Sequence, residues 1–72
     1  MKKISVLIAG KHSTSISLEE DFYNELLEIA RKKNISINNL MTKIDKERKT
    51  NNLSSAIRLY ILSYYKQLSA PK

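Results

Sequence analysis

The sequence has no cysteine and no tryptophan, and it has one residue each of glycine, proline and histidine. The absence of cysteine excludes disulfides and thiolate metal sites, and His12 alone does not build a zinc site. Because Gly10 is the only glycine, the chain has no glycine-rich loop that binds phosphate. We therefore expect neither a metal nor a cofactor.

Combinations of catalytic side chains are also scarce. Serines are numerous, but a single histidine gives them no convincing base for nucleophilic catalysis. The acidic residues Glu19, Glu20 and Asp21 are adjacent, which is typical of the first turn of a helix. We therefore do not expect an enzyme.

Long apolar runs are missing as well. No segment approaches the roughly 18 apolar residues of a membrane span, and the apolar stretch in "MKKISVLIAG" is shorter than a signal peptide requires. We expect a cytoplasmic, soluble protein that is not inserted in a membrane. Its 72 residues form one domain, 1–72, which buries only about 60% of the surface of its unfolded chain, so we expect something outside the monomer to stabilise it.

The charge of the chain has one dominant sign. Thirteen Lys and Arg against seven Asp and Glu give a net charge of +6, which a dimer would double. Such a charge attracts polyanions through long-range, salt-dependent forces. Nucleic acid is the favoured partner and an anionic membrane the second, while a lysine-rich surface that only confers solubility is the alternative.

Apolar and polar residues alternate near the N-terminus. The even positions are Ile4, Val6, Ile8, Gly10, His12, Thr14, Ile16 and Leu18, and Ser5, Ser13, Ser15 and Ser17 occupy odd ones. This period of two predicts a half-buried strand over about 4–18, or over 11–18 with residues 4–9 as a separate strand that folds back. With Ile16 and Leu18 inward, the outer face carries Lys11, Ser13, Ser15 and Ser17.

Three helices follow. Phe22, Leu26, Ile29 and Ala30 have helical spacing and predict a helix over about 19–33. A second helix, about 37–48, has Ser36 as its N-cap and a stripe of Ile37, Leu40, Met41 and Ile44. Thr50, Asn51 and Asn52 predict a loop that caps the next helix, over about 53–68.

The last helix is apolar over most of its circumference. Its main stripe includes Ile57, Tyr60, Ile61 and Tyr64. A three-helix monomer of this size does not easily bury such a helix on several sides. We predict that it packs against its own copy across a two-fold axis, with Ile16, Leu18, Ile57, Tyr60, Ile61 and Tyr64 as the dimer core.

The strand also requires a partner, because an isolated strand is not stable in water. Antiparallel pairing with the same strand of a second subunit would give a two-stranded ribbon with hydroxyls on one face. The major groove of B-DNA admits such a ribbon, and hydroxyl side chains bond either donors or acceptors on base edges.

The segments "STSISLEEDFYNELLEIARKKNIS" and "NLSSAIRLYILSYY" resemble the ribbon-helix-helix family of DNA-binding proteins, over about residues 11 to 66. The family usually has one helix between the strand and the last helix, whereas this chain has a further one, "SINNLMTKIDKER". In this respect the chain resembles a small bacterial subgroup of the family. The resemblance implies a mostly α fold with one N-terminal β-strand, an intertwined homodimer, and groove contact by Ser13, Ser15 and Ser17. It also implies phosphate contact at a helix N-terminus, near Ser54 and Ser55 or near Ser36. We favour Ser54, because its helix is the more apolar.

Two functions are compatible with these features. The first is a homodimeric transcriptional regulator, such as a repressor, that binds double-stranded DNA. The second is a protein-interaction module, such as the antitoxin of a toxin–antitoxin pair.

Overall fold

The structure is a computed structural model that describes residues 1–8 and 12–69 of the chain. Two strands, β1 (Lys2–Ile8) and β2 (His12–Leu18), precede three helices, α1 (Glu20–Lys33), α2 (Ile37–Glu47) and α3 (Leu53–Ser69). The predicted helices therefore agree with the observed ones to within one residue at each end.

The strands form a two-stranded antiparallel sheet within one chain. Ile4 is opposite Ile16, and Ser5 is opposite Ser15. The prediction of one N-terminal strand is thus wrong, and the alternative of a separate strand that folds back is the observed one. A strand in the same chain is the partner with the lowest loop-closure cost, so β2 pairs with β1 and does not need a second subunit for its first neighbour.

The alternating pattern decides which face of the sheet packs on the helices. Val6, Ile8, Ile16 and Leu18 are buried, whereas the residues between them are exposed. The helices complete one core under this face, and its remaining buried members are Leu26, Ile29, Ala30, Leu40, Met41, Ile44, Ala56, Ile57 and Ile61. No polar side chain is buried among the described residues. Burial of apolar surface therefore stabilises the fold.

The helix ends are fixed by short polar residues. Asn34 ends α1 with a φ of 59°, in the left-handed region that asparagine tolerates. Ser36 caps α2, and its hydroxyl oxygen accepts a hydrogen bond of 3.0 Å from the N–H of Asn39. Asn52 caps α3, since its Oδ1 accepts a 3.2 Å bond from the N–H of Ser55. The predicted cap at Ser36 and the predicted capping loop before α3 are confirmed.

Most of the predicted dimer core lies in the core of the single chain. Ile16, Leu18, Ile57 and Ile61 are buried there, and Tyr60 and Tyr64 are half-buried against it.

A hydrogen bond also holds α3 on α1, because the hydroxyl of Tyr65 donates to the carboxylate of Glu25. That bond is the main reason why the pKa of Tyr65 is raised to about 12.

Another part of α3 stays uncovered in the single chain. Leu59, Leu62 and Leu68 have 60%, 55% and 62% of their surface exposed. The rest of the chain therefore covers only part of the apolar surface predicted for this helix. Among residues 1–8 and 12–69, no helix combines the length and the hydropathy of a membrane crossing.

Candidate nucleic-acid interface

The outer face of the sheet is a surface of short hydroxyls. It carries Lys3, Ser5 and Leu7 from β1 and Ser13, Ser15 and Ser17 from β2, and all six are exposed. The cross-strand pairs are Lys3 with Ser17, Ser5 with Ser15 and Leu7 with Ser13. We call these six residues the hydroxyl face. None of them is acidic, so the face presents hydrogen-bonding groups and one cation.

The predicted strand residues lie on this face. Ser13, Ser15 and Ser17 point away from the core, as their positions between buried residues require. Lys11, the fourth predicted residue, lies outside the described residues. Sequence reasoning did not select Lys3 or Ser5, although the odd position of Ser5 was the signal that could have identified it.

The N-terminus of α3 lies directly against β2. The hydroxyl of Ser54 donates a 2.9 Å hydrogen bond to the backbone carbonyl of Ser17. Ser55, also predicted to contact phosphate, has its N–H bonded to the cap residue Asn52. The first N–H groups of a helix have no partner within it, so the amides of Leu53 and Ser54 remain donors at this end. Ser36, by contrast, begins α2 and has no contact of this kind with β2.

The contact between Ser54 and Ser17 also defines the free edge of the sheet. The carbonyl of Ser17 accepts its hydrogen bond from α3, which packs on β2, whereas α2 packs on β1. We infer that this carbonyl points to the side of β2 away from β1. In an antiparallel ladder, residues alternate between pointing their N–H and C=O at the partner strand and pointing them away. The backbone groups of Ser13 and Ser15 therefore face the same free edge as those of Ser17.

An open groove of about 690 Å³ runs along this edge. Its walls are β2, the end of α2 and the start of α3, with Asp45, Arg48 and Asn52 among the polar lining residues. The guanidinium of Arg48 is held by Asp45 at 2.8 Å and by the carbonyl of Thr50. The groove consequently combines a strand edge, a helix N-terminus and a fixed cation.

An ion pair fixes the junction between β2 and α1. Nε of Arg58, on α3, donates a 2.8 Å hydrogen bond to Oε1 of Glu19. This hydrogen bond from Arg58 is the main cause that lowers the pKa of Glu19. Glu19 is thus held as an ionised, paired group beside the hydroxyl face and does not oppose an anion as a free carboxylate.

No group of three or more acidic or histidine side chains among the described residues is arranged to hold a metal ion. The arrangement can instead form hydrogen bonds to polar groups through its hydroxyls and attract anions through its cations.

A family model described as a ribbon-helix-helix domain matches residues 1–65 of the chain. The chain therefore belongs to the ribbon-helix-helix family, whose members generally bind DNA and dimerise. No curated protein and no solved structure matches the chain.

Proposed function

We propose that the protein is a cytoplasmic DNA-binding transcriptional regulator that acts as a repressor by occupying its operator. Its role is binding, with no reaction catalysed. The observation that carries this proposal is the hydroxyl face, where Ser13, Ser15 and Ser17 are exposed on one side of a strand. Exposed hydroxyls on a sheet that enters the major groove can bond either donors or acceptors on base edges.

A homodimer is the second part of the proposal. The free edge of β2 carries no charged residue between His12 and Leu18, whereas β1 carries Lys2 and Lys3. Charged side chains, lysine above all, are a common means of blocking edge-to-edge pairing, so β2 is the edge suited to a second copy. Antiparallel pairing of β2 with β2 of that copy is self-complementary about a two-fold axis.

Phosphate contact is assigned to the start of α3. This end lies against Ser17 through the hydroxyl of Ser54, so it would approach the DNA backbone when the hydroxyl face enters the groove. Because that hydroxyl is already bonded, the free amides of Leu53 and Ser54 are the groups proposed to donate to phosphate. Ser36 at the start of α2 remains the alternative.

The test is the simultaneous replacement of Ser13, Ser15 and Ser17 by alanine. The hydroxyls are exposed, so fold and dimer should survive. Discrimination between a selected DNA duplex and a scrambled one should fall by roughly 1 to 3 kcal/mol for each well-made base contact. Affinity for the scrambled duplex should persist, because it comes from phosphates and falls with salt.

Two outcomes would contradict the proposal. If the triple variant kept the full preference for the selected duplex while Ser36→Ala or Ser54→Ala abolished it, the serines of β2 would not contact the bases. If the unmodified protein showed no salt-dependent binding to either duplex, the proposal of a DNA-binding function would fail altogether. Circular dichroism and sedimentation of each variant confirm that it is still folded and dimeric.

A protein-interaction module, such as an antitoxin, is the second candidate. It is supported by the exposed Leu59 and Leu62 on α3. A Leu59→Ser/Leu62→Ser variant separates the two uses of this surface. If that variant dissociates, the leucines belong to the homodimer and no longer favour a partner. If it stays dimeric and binds DNA normally, they are available for a different protein.

A further inference from the structure

The strand β1 contributes Lys3, Ser5 and Leu7 to the hydroxyl face, but the proposed function gives a role only to the serines of β2. Lys3 is directly opposite Ser17, and Ser5 is directly opposite Ser15. All four are exposed, and Lys3 is the only cation among the described residues of the hydroxyl face. The position of β1 relative to bound DNA decides what these side chains can contact.

That position follows from the order of strands in the proposed dimer. Pairing along the free edge of β2 gives a four-stranded sheet with the two β2 strands inside and the two β1 strands outside. Neighbouring strands are about 4.8 Å apart, so the two β1 strands are separated by three spacings, or about 14 Å. The major groove is about 12 Å wide. The inner strands therefore fit within the groove, and the outer strands lie over its walls.

The walls of the groove are the phosphate backbones. A lysine side chain is long, flexible and positively charged, which suits a phosphate more than a base edge directly beneath the strand. The serine hydroxyl at position 5 is too short to reach a base from a strand displaced to the wall. The two faces of β1 are also distinct, because Lys2 lies on the opposite side from Lys3, with its Nζ 5.7 Å from the centre of the Tyr23 ring.

We propose that β1 clamps the DNA backbone, with Lys3 of each protomer bound to a phosphate on either side of the base-contacting serines. This inference rests on the proposed DNA-binding dimer and adds a function for the strand that precedes β2. It assigns bases to the inner strands and phosphates to the outer ones. One dimer would thus gain two phosphate contacts from its outer strands.

The test compares Lys3→Ala with Lys2→Ala, which removes the same charge from the neighbouring position on the other face. The probes are a duplex selected by the unmodified protein from a random library and a scrambled duplex of equal length. Each lost phosphate contact reduces the slope of log affinity against log salt by about 0.9. The variant loses two phosphate contacts per dimer. Raising the salt from about 50 to 200 mM should therefore weaken DNA binding by Lys3→Ala roughly tenfold less than it weakens binding by the unmodified protein.

Lys3→Ala should weaken binding to both duplexes by the same factor, and Lys2→Ala should change the salt slope much less. Equal slopes for the two lysine variants would overturn the proposal. A third variant, Ser5→Ala, tests the placement of β1. It should leave discrimination between the duplexes unchanged, and a loss like that of Ser15→Ala would show that β1 enters the groove, which also overturns the proposal. Absence of binding by the unmodified protein would instead overturn the DNA-binding function itself.

Discussion

The hydroxyl of Ser54 donates a 2.9 Å hydrogen bond to the backbone carbonyl of Ser17, and this bond joins the first turn of α3 to the edge of β2. It connects two regions that the sequence separates by 37 positions. The proposed phosphate-binding helix is therefore fixed relative to the proposed base-contacting strand by a direct contact. A change at Ser54 should affect both stability and DNA binding.

Removal of this bond is the first prediction. Ser54→Ala should lower the free energy of unfolding by about 1 kcal/mol, the usual net contribution of one hydrogen bond. Ser63→Ala is the matched control, because Ser63 is an exposed serine on the same helix. The comparison corrects for the higher helix propensity of alanine. Urea denaturation of both variants measures the difference, and equal stabilities would show that the bond contributes nothing.

The second prediction concerns acid stability. The hydrogen bond from Arg58 lowers the pKa of Glu19 below its ordinary value of 4.5. The folded state therefore releases this proton more readily than the unfolded state, and the resulting stabilisation is complete only above the unfolded pKa. It is lost as the pH falls through the lower, folded pKa. We expect the stability of the unmodified protein to decrease between about pH 5 and pH 3.

Glu19→Gln should show a smaller decrease over the same range. Glu20→Gln is the control, because it removes a neighbouring carboxylate that makes no ion pair with a described residue. Thermal unfolding at a series of pH values gives both slopes. A Glu19→Gln variant with an unchanged acid slope would contradict the assignment of this effect to the pair with Arg58.

The third prediction concerns the core residue Ile57, which is fully buried. A domain of this length is stabilised by roughly 4 to 11 kcal/mol, and an unpaired buried charge costs several kcal/mol. Ile57→Lys should therefore unfold the chain and abolish dimerisation as a consequence. Leu59→Lys adds the same charge on the same helix at an exposed position and should stay folded. Far-ultraviolet circular dichroism distinguishes them, and a folded Ile57→Lys variant would contradict the placement of this side chain.

The sequence predicted the helices well because their apolar stripes repeat over many residues. Ile57 and Ile61, for example, are buried one turn apart on α3. It predicted the strands less well because a period of two is the same for one long strand and for two strands of a hairpin. Leu7 added to the ambiguity, since it is an apolar residue on the exposed face, 43% exposed. Which strand pairs with which depends on chain closure, and the pattern of side chains does not contain that information.

The candidate site was predicted in the same uneven way. Alternation placed Ser13, Ser15 and Ser17 outward, and the structure agrees. Lys3 joins them only because the strands fold back on each other, with Lys3 opposite Ser17. The bond between Ser54 and Ser17 also depends on tertiary packing, since it joins a helix and a strand that are distant in sequence. Local patterns therefore identified the serines of β2 and Ser54, but they missed Lys3 and the bond that packing forms between Ser54 and Ser17.

The fourth prediction tests whether the free edge of β2 forms the dimer. The N–H of Ser15 faces that edge, because Ser15 alternates with residues bonded to β1 and is two positions from the edge-facing Ser17. Proline at Ser15 would remove a donor that β1 does not use, and proline is tolerated on a strand edge whose N–H faces solvent. Ser15→Pro should therefore retain the hairpin and the helices. Sedimentation at micromolar concentration should then give the mass of one chain, where the unmodified protein gives twice that mass.

Thr14→Pro is the matched control for this experiment. By the same alternation the N–H of Thr14 points at β1, where Thr14 is opposite Val6. Proline there would remove a bond of the hairpin, so this variant should lose the sheet and much of its stability, as circular dichroism and thermal unfolding would report. The contrast between neighbouring positions separates damage to the hairpin from loss of the second copy. A Ser15→Pro variant that remained a dimer would show that the second copy binds elsewhere, with the exposed leucines of α3 as the next surface to test.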